Sequence, residues 1–358
     1  MKLSIIGLNH KTAPIDVREK FYLNQLQQDL FLSELRSDPS VLEAFILSTC
    51  NRVEIYVHCL KANPNLDDFV QIISRIKKIP AAADFRKYFY TYQGQQALEH
   101  LLKVAAGLDS LIVGEKQILG QVRNAFERAR ERGLLAKHFN ILSNITLRTG
   151  KKAQTETDIS LGGSSVSWAA ITMAEKILGP LTDKSVLVIG AGEMSKLTIG
   201  QIAYKGLKKL FLMNRTQAHA QELAQKFNGI PVGFCDIKEV LSQVDLCLCA
   251  VDAPHYILDL ETVARIKPMN PGPKILLIDI SMPRNIDPRV GELDFVTLLF
   301  IDDLDKAIEE NMKKRLKAIA DVEKIIADKL NSFYDKLNKI DEINPLVTAE
   351  SVEVLDKL

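Results

Sequence analysis

A thiol and a guanidinium two residues apart, Cys50 and Arg52, stand in the stretch Ser48-Thr49-Cys50-Asn51-Arg52-Val53-Glu54. A thiolate is a nucleophile, and a fixed positive charge beside it favours thiolate over thiol. If the backbone stays extended, the strand period of two puts both side chains on one face. The plainer reading is a buried cysteine beside a solvated arginine. Thr49, Asn51, Arg52 and Glu54 make a poor apolar burial site, and on local grounds both readings stand. The apolar run Val41 to Leu47 precedes this stretch and the β-prone run Val53 to His58 follows it. Two strands joined by a polar tip would hold these side chains on a rigid scaffold.

The whole chain bounds what such a tip can do. Its 358 residues exceed one ordinary core, so two or three domains are expected. Hydrophobic residues make up 47% and charged residues 25%, as in ordinary globular proteins. A net charge of +1 means that any contact with nucleic acid must come from a local patch. The cysteines are Cys50, Cys59, Cys235, Cys247 and Cys249, an odd set without CxxC spacing, which argues against a disulfide framework or a zinc site. The run Met1 to Gly7 is too short for a secretory signal, and no stretch approaches the ~18 apolar residues of a membrane span. A reducing, cytoplasmic compartment is expected, in which Cys50 stays a thiol.

In the N-terminal third, Lys2 to Leu8 reads as a strand, Ile15 opens a helix, and helices fit Asn24 to Arg36 and Leu66 to Lys78. Strands and helices mix without βαβ alternation, so this part is α+β. From Gln95 a helix carries the stripe Leu98, Leu101, Leu102, Ala105 and Leu108. His100 lies off the stripe and, on that alone, reads as a surface histidine. Between Gly107 and Gln121, glycines with Ser110, Glu115, Gln117 and Gln121 interrupt apolar sequence, a pattern suited to a pocket wall. From Arg123 to Lys152, eight positive charges oppose Glu127 and Glu131, a local +6. This reads as a solvated helix face or as a phosphate contact.

The middle third is regular. A helix from Val166 to Leu178 leads to a buried strand, Ser185 to Ile189. Then come Gly190-Ala191-Gly192-Glu193-Met194-Ser195 and a helix running through Tyr204 to Gly206. Lys208 to Met213 is the next strand. A glycine-rich turn opening a helix offers free backbone N–H groups to a pyrophosphate. The full fingerprint wants a third glycine where Ser195 stands. Asn214-Arg215-Thr216 ends the second strand, and an arginine in place of a carboxylate suits the 2′-phosphate of NADPH. Further buried strands are expected at Val244 to Ala250, Lys274 to Ile280 and Leu293 to Val296. The loop Ser281 to Pro288 could border the nicotinamide. From Asp302 to Ile340 neither proline nor glycine occurs, and apolar residues from Leu304 to Ile340 recur at steps of three and four. A helix of that length approaches ~60 Å, so it must cross more than one domain or meet another subunit. Asn344-Pro345 would end it.

Taken together, Gly7 to Pro14, Ser48 to Glu54, Gly107 to Gln121, Thr155-Glu156-Thr157, Gly190 to Met194 and Asn214-Arg215-Thr216 resemble the glutamyl-tRNA reductase family. The resemblance implies a multidomain α/β protein. A catalytic domain (1–150) is α+β; a linker and Rossmann-like NADPH domain span 151–300; a long spinal helix and dimerisation region span 301–358. It implies reduction of glutamyl-tRNA to glutamate-1-semialdehyde, in the making of 5-aminolevulinate and haem. By position, Cys50 matches the nucleophile and His100 a histidine important for activity. Thr49, Asn51, Arg52, Ser110, Glu115, Lys116, Gln117 and Gln121 match the substrate pocket, with Arg52 holding a substrate carboxylate. Gly190, Ala191, Gly192, Glu193, Met194 and Ser195 match the phosphate loop. A V-shaped homodimer is implied, and an aminomutase that receives the aldehyde is a possible partner. Two departures stand out: Gln154 replaces a basic residue, and the tail lacks a tryptophan expected near Phe333-Tyr334. The rivals are a shikimate-type NADP dehydrogenase, which needs neither acyl-accepting cysteine nor basic patch, and an inactive tRNA-binding homologue.

Overall fold

The computed structural model describes residues 2–60, 65–79, 83–160, 166–266, 274–307 and 309–343. The chain forms two compact units: Met1–Pro14, Leu23–Ser160 and the chain from Arg315 onward make the first, Ile15–Tyr22 and Leu161–Lys314 the second.

The first unit is built on an antiparallel sheet of β1 (Leu3–Asn9), β2 (Val41–Ser48), β3 (Arg52–Cys59) and β4 (Tyr90–Gln93), in the order β2-β3-β1-β4. Strand β3 lies between β2 and β1 and is buried along its whole length. The helices Gln25–Ser37 and Gln117–Glu131 pack on β2, and the helix Gly94–Ala105 packs on β1 and β4. Phe45 of β2 stacks on Tyr56 at 4.2 Å between centroids and meets Phe126 at 4.3 Å. Asn24 begins the helix Gln25–Ser37 with a reciprocal capping box to Gln27. The short edge strand β4 was not expected: its four residues alternate in exposure and too few repeats precede Gly94 to announce a strand.

The second unit contains six parallel strands: β5 (Ser185–Ile189), β6 (Lys209–Met213), β7 (Ile230–Val232), β8 (Leu246–Cys249), β9 (Ile275–Asp279) and β10 (Val296–Phe300). Their order is β10-β9-β8-β5-β6-β7. The chain runs outward from β5 to β7, then returns to the other side of β5, which makes the β5–β8 boundary the switch point where dinucleotides bind. Two expectations are corrected here, and one strand is added. The helix after β5 is Glu193–Ile202 and stops before Tyr204. The last strand is Val296–Phe300 instead of Leu293–Val296, because Leu293 still closes a turn by accepting from the Val296 N–H at 2.9 Å. Strand β7, unannounced in the sequence, sits at the sheet edge, the place where its central Pro231 is tolerated.

The expected single helix from Asp302 is divided. A 3-10 segment occupies Ile301–Ala307, and the α-helix is Glu309–Ile343, 35 residues or ~50 Å. Ala318, Val322, Ile325, Ile326, Leu330 and Phe333 form its buried face, while Leu316, expected in that stripe, is 63% exposed. The expected end at Asn344-Pro345 lies outside the described residues.

Candidate active site

Cys50 is half-buried at the tip of the β2–β3 hairpin, and none of the chain's five cysteines forms a disulfide. The backbone does not stay extended there. Ser48 still pairs with Val53, but the chain bends at Cys50 and Asn51. The Thr49 hydroxyl draws the turn together by accepting from the Asn51 and Arg52 N–H groups, both at 3.2 Å. The Thr49 N–H donates to the Arg52 carbonyl at 2.8 Å, and the His10 N–H donates to the Asn51 carbonyl at 2.9 Å. The tip is therefore fixed from within and from the turn after β1.

Arg52 is only 1% exposed. Its Nη1 donates to Glu54 Oε1 at 2.7 Å and to Asp109 Oδ2 at 3.0 Å, and its Nη2 donates to the Asp109 carbonyl. Glu54 is wholly buried and also accepts from Tyr56, from Tyr90 and, at 2.8 Å, from His100 Nε2. Burial pushes the Glu54 carboxyl up, but the Arg52 charge and the His100 and Tyr56 contacts bring it well below the usual carboxylate range. Asp109 is likewise pushed up by burial and held below its ordinary value by Arg52 and Lys11. Burial against Glu54 drives the Tyr56 and Tyr90 phenols far up. The expected role of Arg52 toward a substrate carboxylate thus meets a guanidinium whose Nη1 and Nη2 already face Glu54 and Asp109. Two carboxylates within 3.0 Å also balance the charge that was expected to favour a Cys50 thiolate.

His100 is not a surface residue. It turns inward between the Tyr90 and Tyr92 rings, at 5.5 and 5.0 Å between centroids. Glu54, Tyr56 and Asp109 did not figure among the expected site residues. The signal for two of them lay in β3, where Arg52, Glu54, Tyr56 and His58 alternate with the apolar Val53, Ile55 and Val57.

The segment from Gly107 to Gln121 folds as a tight loop and the start of the helix Gln117–Glu131. Gly107 and Gly114 have φ of +77° and +83°, and the Gly114 N–H donates to the Gly107 carbonyl at 2.9 Å. A Cβ on Gly114 would lie 1.9 Å from the Ile159 carbonyl oxygen, so only glycine closes the loop. The loop buries Ser110 and Glu115, half-buries Gln117 and leaves Lys116 exposed; Gln121 is half-buried on the helix. Ser110 Oγ is buried with no hydrogen-bond partner among the described residues. Burial raises Glu115 to about 7, against the opposing pull of Arg52. Gln154 donates to the Lys116 carbonyl at 3.2 Å, so the residue that departs from the family pattern fastens this loop. Of the basic cluster, Arg128 and Arg132 pair with Asp29 at 3.0 and 2.8 Å, whereas Arg123, Arg148 and Lys151 face solvent.

In the second unit a cavity of about 560 Å³ opens at the switch point. Gly190, Ala191, Gly192, Asn214, Arg215 and Thr216 all line it, together with residues 250–253 after β8 and the unforeseen His219 and His255. Gly190 has φ +120°, and a Cβ there would meet the Ala250 carbonyl oxygen at 2.3 Å. Ser195 is fully buried and its hydroxyl donates to that same carbonyl at 3.0 Å, which explains how a serine fits where a third glycine was expected. Glu193 and Met194 open the helix after Gly192 and do not line the cavity. The backbone approach at Gly190, the helix start and the basic edge at Arg215 fit a dinucleotide.

The comparisons agree with this geometry. The pattern of the family described as "Glutamyl-tRNAGlu reductase, N-terminal domain" matches residues 6–157, and that of "Shikimate / quinate 5-dehydrogenase" matches 172–307. A glutamyl-tRNA reductase from Thermodesulfovibrio yellowstonii is 38% identical over 355 residues, covering 97% of this chain and 82% of the relative. The chain belongs to the glutamyl-tRNA reductase family. Another member, from Carboxydothermus hydrogenoformans, is 39% identical over 94% of this chain and 74% of its own. The solved structure of glutamyl-tRNA reductase from Methanopyrus kandleri matches with a TM-score of 0.52 at 32% identity, over 96% of this chain and 82% of that one. Membership makes the chain an oxidoreductase, and its second unit is an NAD(P)-binding domain. Among the described residues no helix is long and apolar enough to cross a membrane.

Glu115 gives a testable consequence. Its folded value of about 7 lies above the ordinary 4.5, so its favourable contribution is complete below pH 4.5 and is lost as pH rises through 7. Glu115→Gln should therefore raise the thermal midpoint at pH 8 and leave it nearly unchanged at pH 4.5. Equal midpoints for both proteins in a pH 8 melt would contradict the assignment.

Proposed function

We propose that the chain reduces glutamyl-tRNA to glutamate-1-semialdehyde with NADPH, through a thioester on Cys50. The observation that carries this reading is the half-buried Cys50 thiol on a tip anchored to a buried Arg52–Glu54–Asp109 cluster, in a unit that matches the reductase family. A shikimate-type dehydrogenase accounts only for residues 172–307 and leaves this unit without a purpose.

The Cys50 sulfur attacks the ester carbonyl that joins glutamate to the tRNA. A carbon–sulfur bond forms, the carbon–oxygen bond to the terminal ribose breaks, and the ribose oxygen leaves with a proton. A covalent acyl-enzyme separates transfer from reduction, which is the advantage of a nucleophile here. When bound, NADPH would supply the hydride that takes the acyl carbon to the aldehyde; the carbon–sulfur bond breaks and Cys50 takes up a proton to return as the thiol. His100, held on Glu54, moves the proton in this reading, the role that the family resemblance implies for it. Arg52 acts by positioning, because it locks the tip to Asp109. The buried Ser110 hydroxyl, without a hydrogen-bond partner among the described residues, would meet a polar group of the glutamyl moiety, with Thr49, Asn51, Glu115, Lys116, Gln117 and Gln121 completing the pocket as the resemblance implies.

The preference for NADPH rests on Arg215, which lines the cavity at the end of β6 without a carboxylate beside it in sequence. The homodimer and the aminomutase partner rest on the family resemblance.

Two measurements test the proposal. Incubation with glutamyl-tRNA in the absence of NADPH should leave glutamate covalently held on Cys50, and Cys50→Ser should hold none; undiminished turnover by Cys50→Ser would overturn the mechanism. Arg215→Ala should weaken NADPH by about tenfold or more while NADH changes little, since a lost charge-assisted contact is worth ~1.5–3 kcal/mol. An equal loss for both nucleotides would remove Arg215 from cofactor choice.

A further inference from the structure

A second cluster of ionisable side chains in the first unit is far from the tip. Glu43 of β2 and His58 of β3 are directly opposed across the strands. His138 stands in the first turn of the helix Lys137–Glu156. His58 lies six residues along β3 from Arg52, ~20 Å, so this trio has no part in the acyl chemistry.

The cluster is built, not incidental. A register shift between Val41 and Glu43 turns Leu42 outward, where it is 42% exposed, and buries Glu43 to 1%. Bulges of this kind re-aim side chains. Glu43 Oε1 accepts from the Ala136 and Phe139 N–H groups, both at 2.8 Å. That fixes the carboxylate and leaves Oε2 as its one donor atom. Oε2 faces His58 Nδ1 at 2.9 Å and His138 Nδ1 at 3.4 Å, and all three atoms lie within 4.8 Å of one another. Ligands ~2.0–2.1 Å from a tetrahedral ion are about 3.3 Å apart, close to both of these spacings. The two imidazole rings meet edge to face, 77° between planes, so both nitrogens converge without stacking. The other acidic and histidine cluster, Glu54, His100 and Asp109, differs because Arg52 already bridges its carboxylates.

We propose that Glu43 Oε2, His58 Nδ1 and His138 Nδ1 form a divalent-metal site, with zinc the ion that best suits two imidazoles and one monodentate carboxylate. His138, at 27% side-chain exposure, gives the ion its way in, and water completes the coordination. Ligation requires each imidazole to carry its proton on Nε2, so that the Nδ1 lone pair is available to the ion. The bound ion ties the β2–β3 hairpin to the start of the helix Lys137–Glu156.

The test uses the full chain carrying Cys50→Ser and Cys235→Ser, which removes the half-buried and the exposed thiol as competing ligands. After chelator treatment, equilibrium dialysis against zinc chloride should show about one ion per chain and a zinc-dependent rise in the thermal midpoint. Adding His138→Ala should weaken binding about a hundredfold and abolish the rise, because a directly bound ligand matters at least as much as the outer partners whose loss costs 10–100-fold. His58→Ala should do the same; if that buried change prevents folding, His138→Ala decides. Failure of the parent to hold zinc, or retention of zinc by folded His138→Ala, would overturn the site and leave the trio a hydrogen-bonded helix cap.

Discussion

The first unit depends on one buried guanidinium. Arg52 enters the interior at the first residue of β3, where an unpaired charge would be prohibitive. Glu54 from its own strand and Asp109 from the Gly107–Gly114 loop neutralise it, and Lys11 adds a second cation on Asp109. Tyr56, Tyr90 and His100 satisfy what remains of Glu54. Such a cluster adds little net stability compared with an apolar core, but removal of one partner strands the others at a cost of ~3–5 kcal/mol. Its value is specificity of arrangement. Three separate pieces of chain, the turn after β1, the hairpin tip and the pocket loop, can meet in only one way.

That arrangement reconciles the tip with reactivity. A hairpin turn bearing a nucleophile is ordinarily a mobile place. Here Thr49 closes the turn through its hydroxyl, and the His10 N–H holds the Asn51 carbonyl. Cys50 is left half-buried on a turn whose flanks are committed to the interior. The second unit uses a different device for the same end. Gly190 and Ser195 both converge on the Ala250 carbonyl, so the turn after β5 and the start of β8's loop are drawn together at the mouth of the cavity.

Much of this was legible from residue patterns, and the failures have physical causes. The parallel strands β5, β6, β8 and β9 were evident because strands buried on both faces read as unbroken apolar runs. Strands β4 and β7 escaped because they are edge strands of four and three residues, too short for a period to show. The hairpin around Cys50 was evident, but the sharing of a face by Cys50 and Arg52 was not realised, since the bend falls between them. His100 looked superficial because its helix stripe describes only the apolar contacts; its partner Glu54 lies 46 residues earlier. Asp109 stood inside a stretch already marked as pocket wall, yet nothing local to it announces that it meets a guanidinium 57 residues away. Side-chain pairing across such distances belongs to the tertiary structure.

The central claim is that the fork of Arg52 holds the tip and the pocket loop as one body. Arg52→Lys keeps the charge but loses the second arm of the fork, which donates to the Asp109 carbonyl while Nη1 serves both carboxylates. Amide hydrogen exchange of this variant, followed by peptide mass spectrometry, tests the claim directly. Exchange should quicken together in peptides spanning 48–54 and 107–115 and stay unchanged in 185–189. Unchanged exchange in the first two segments, in a variant confirmed to lack the Asp109 contact, would contradict the account.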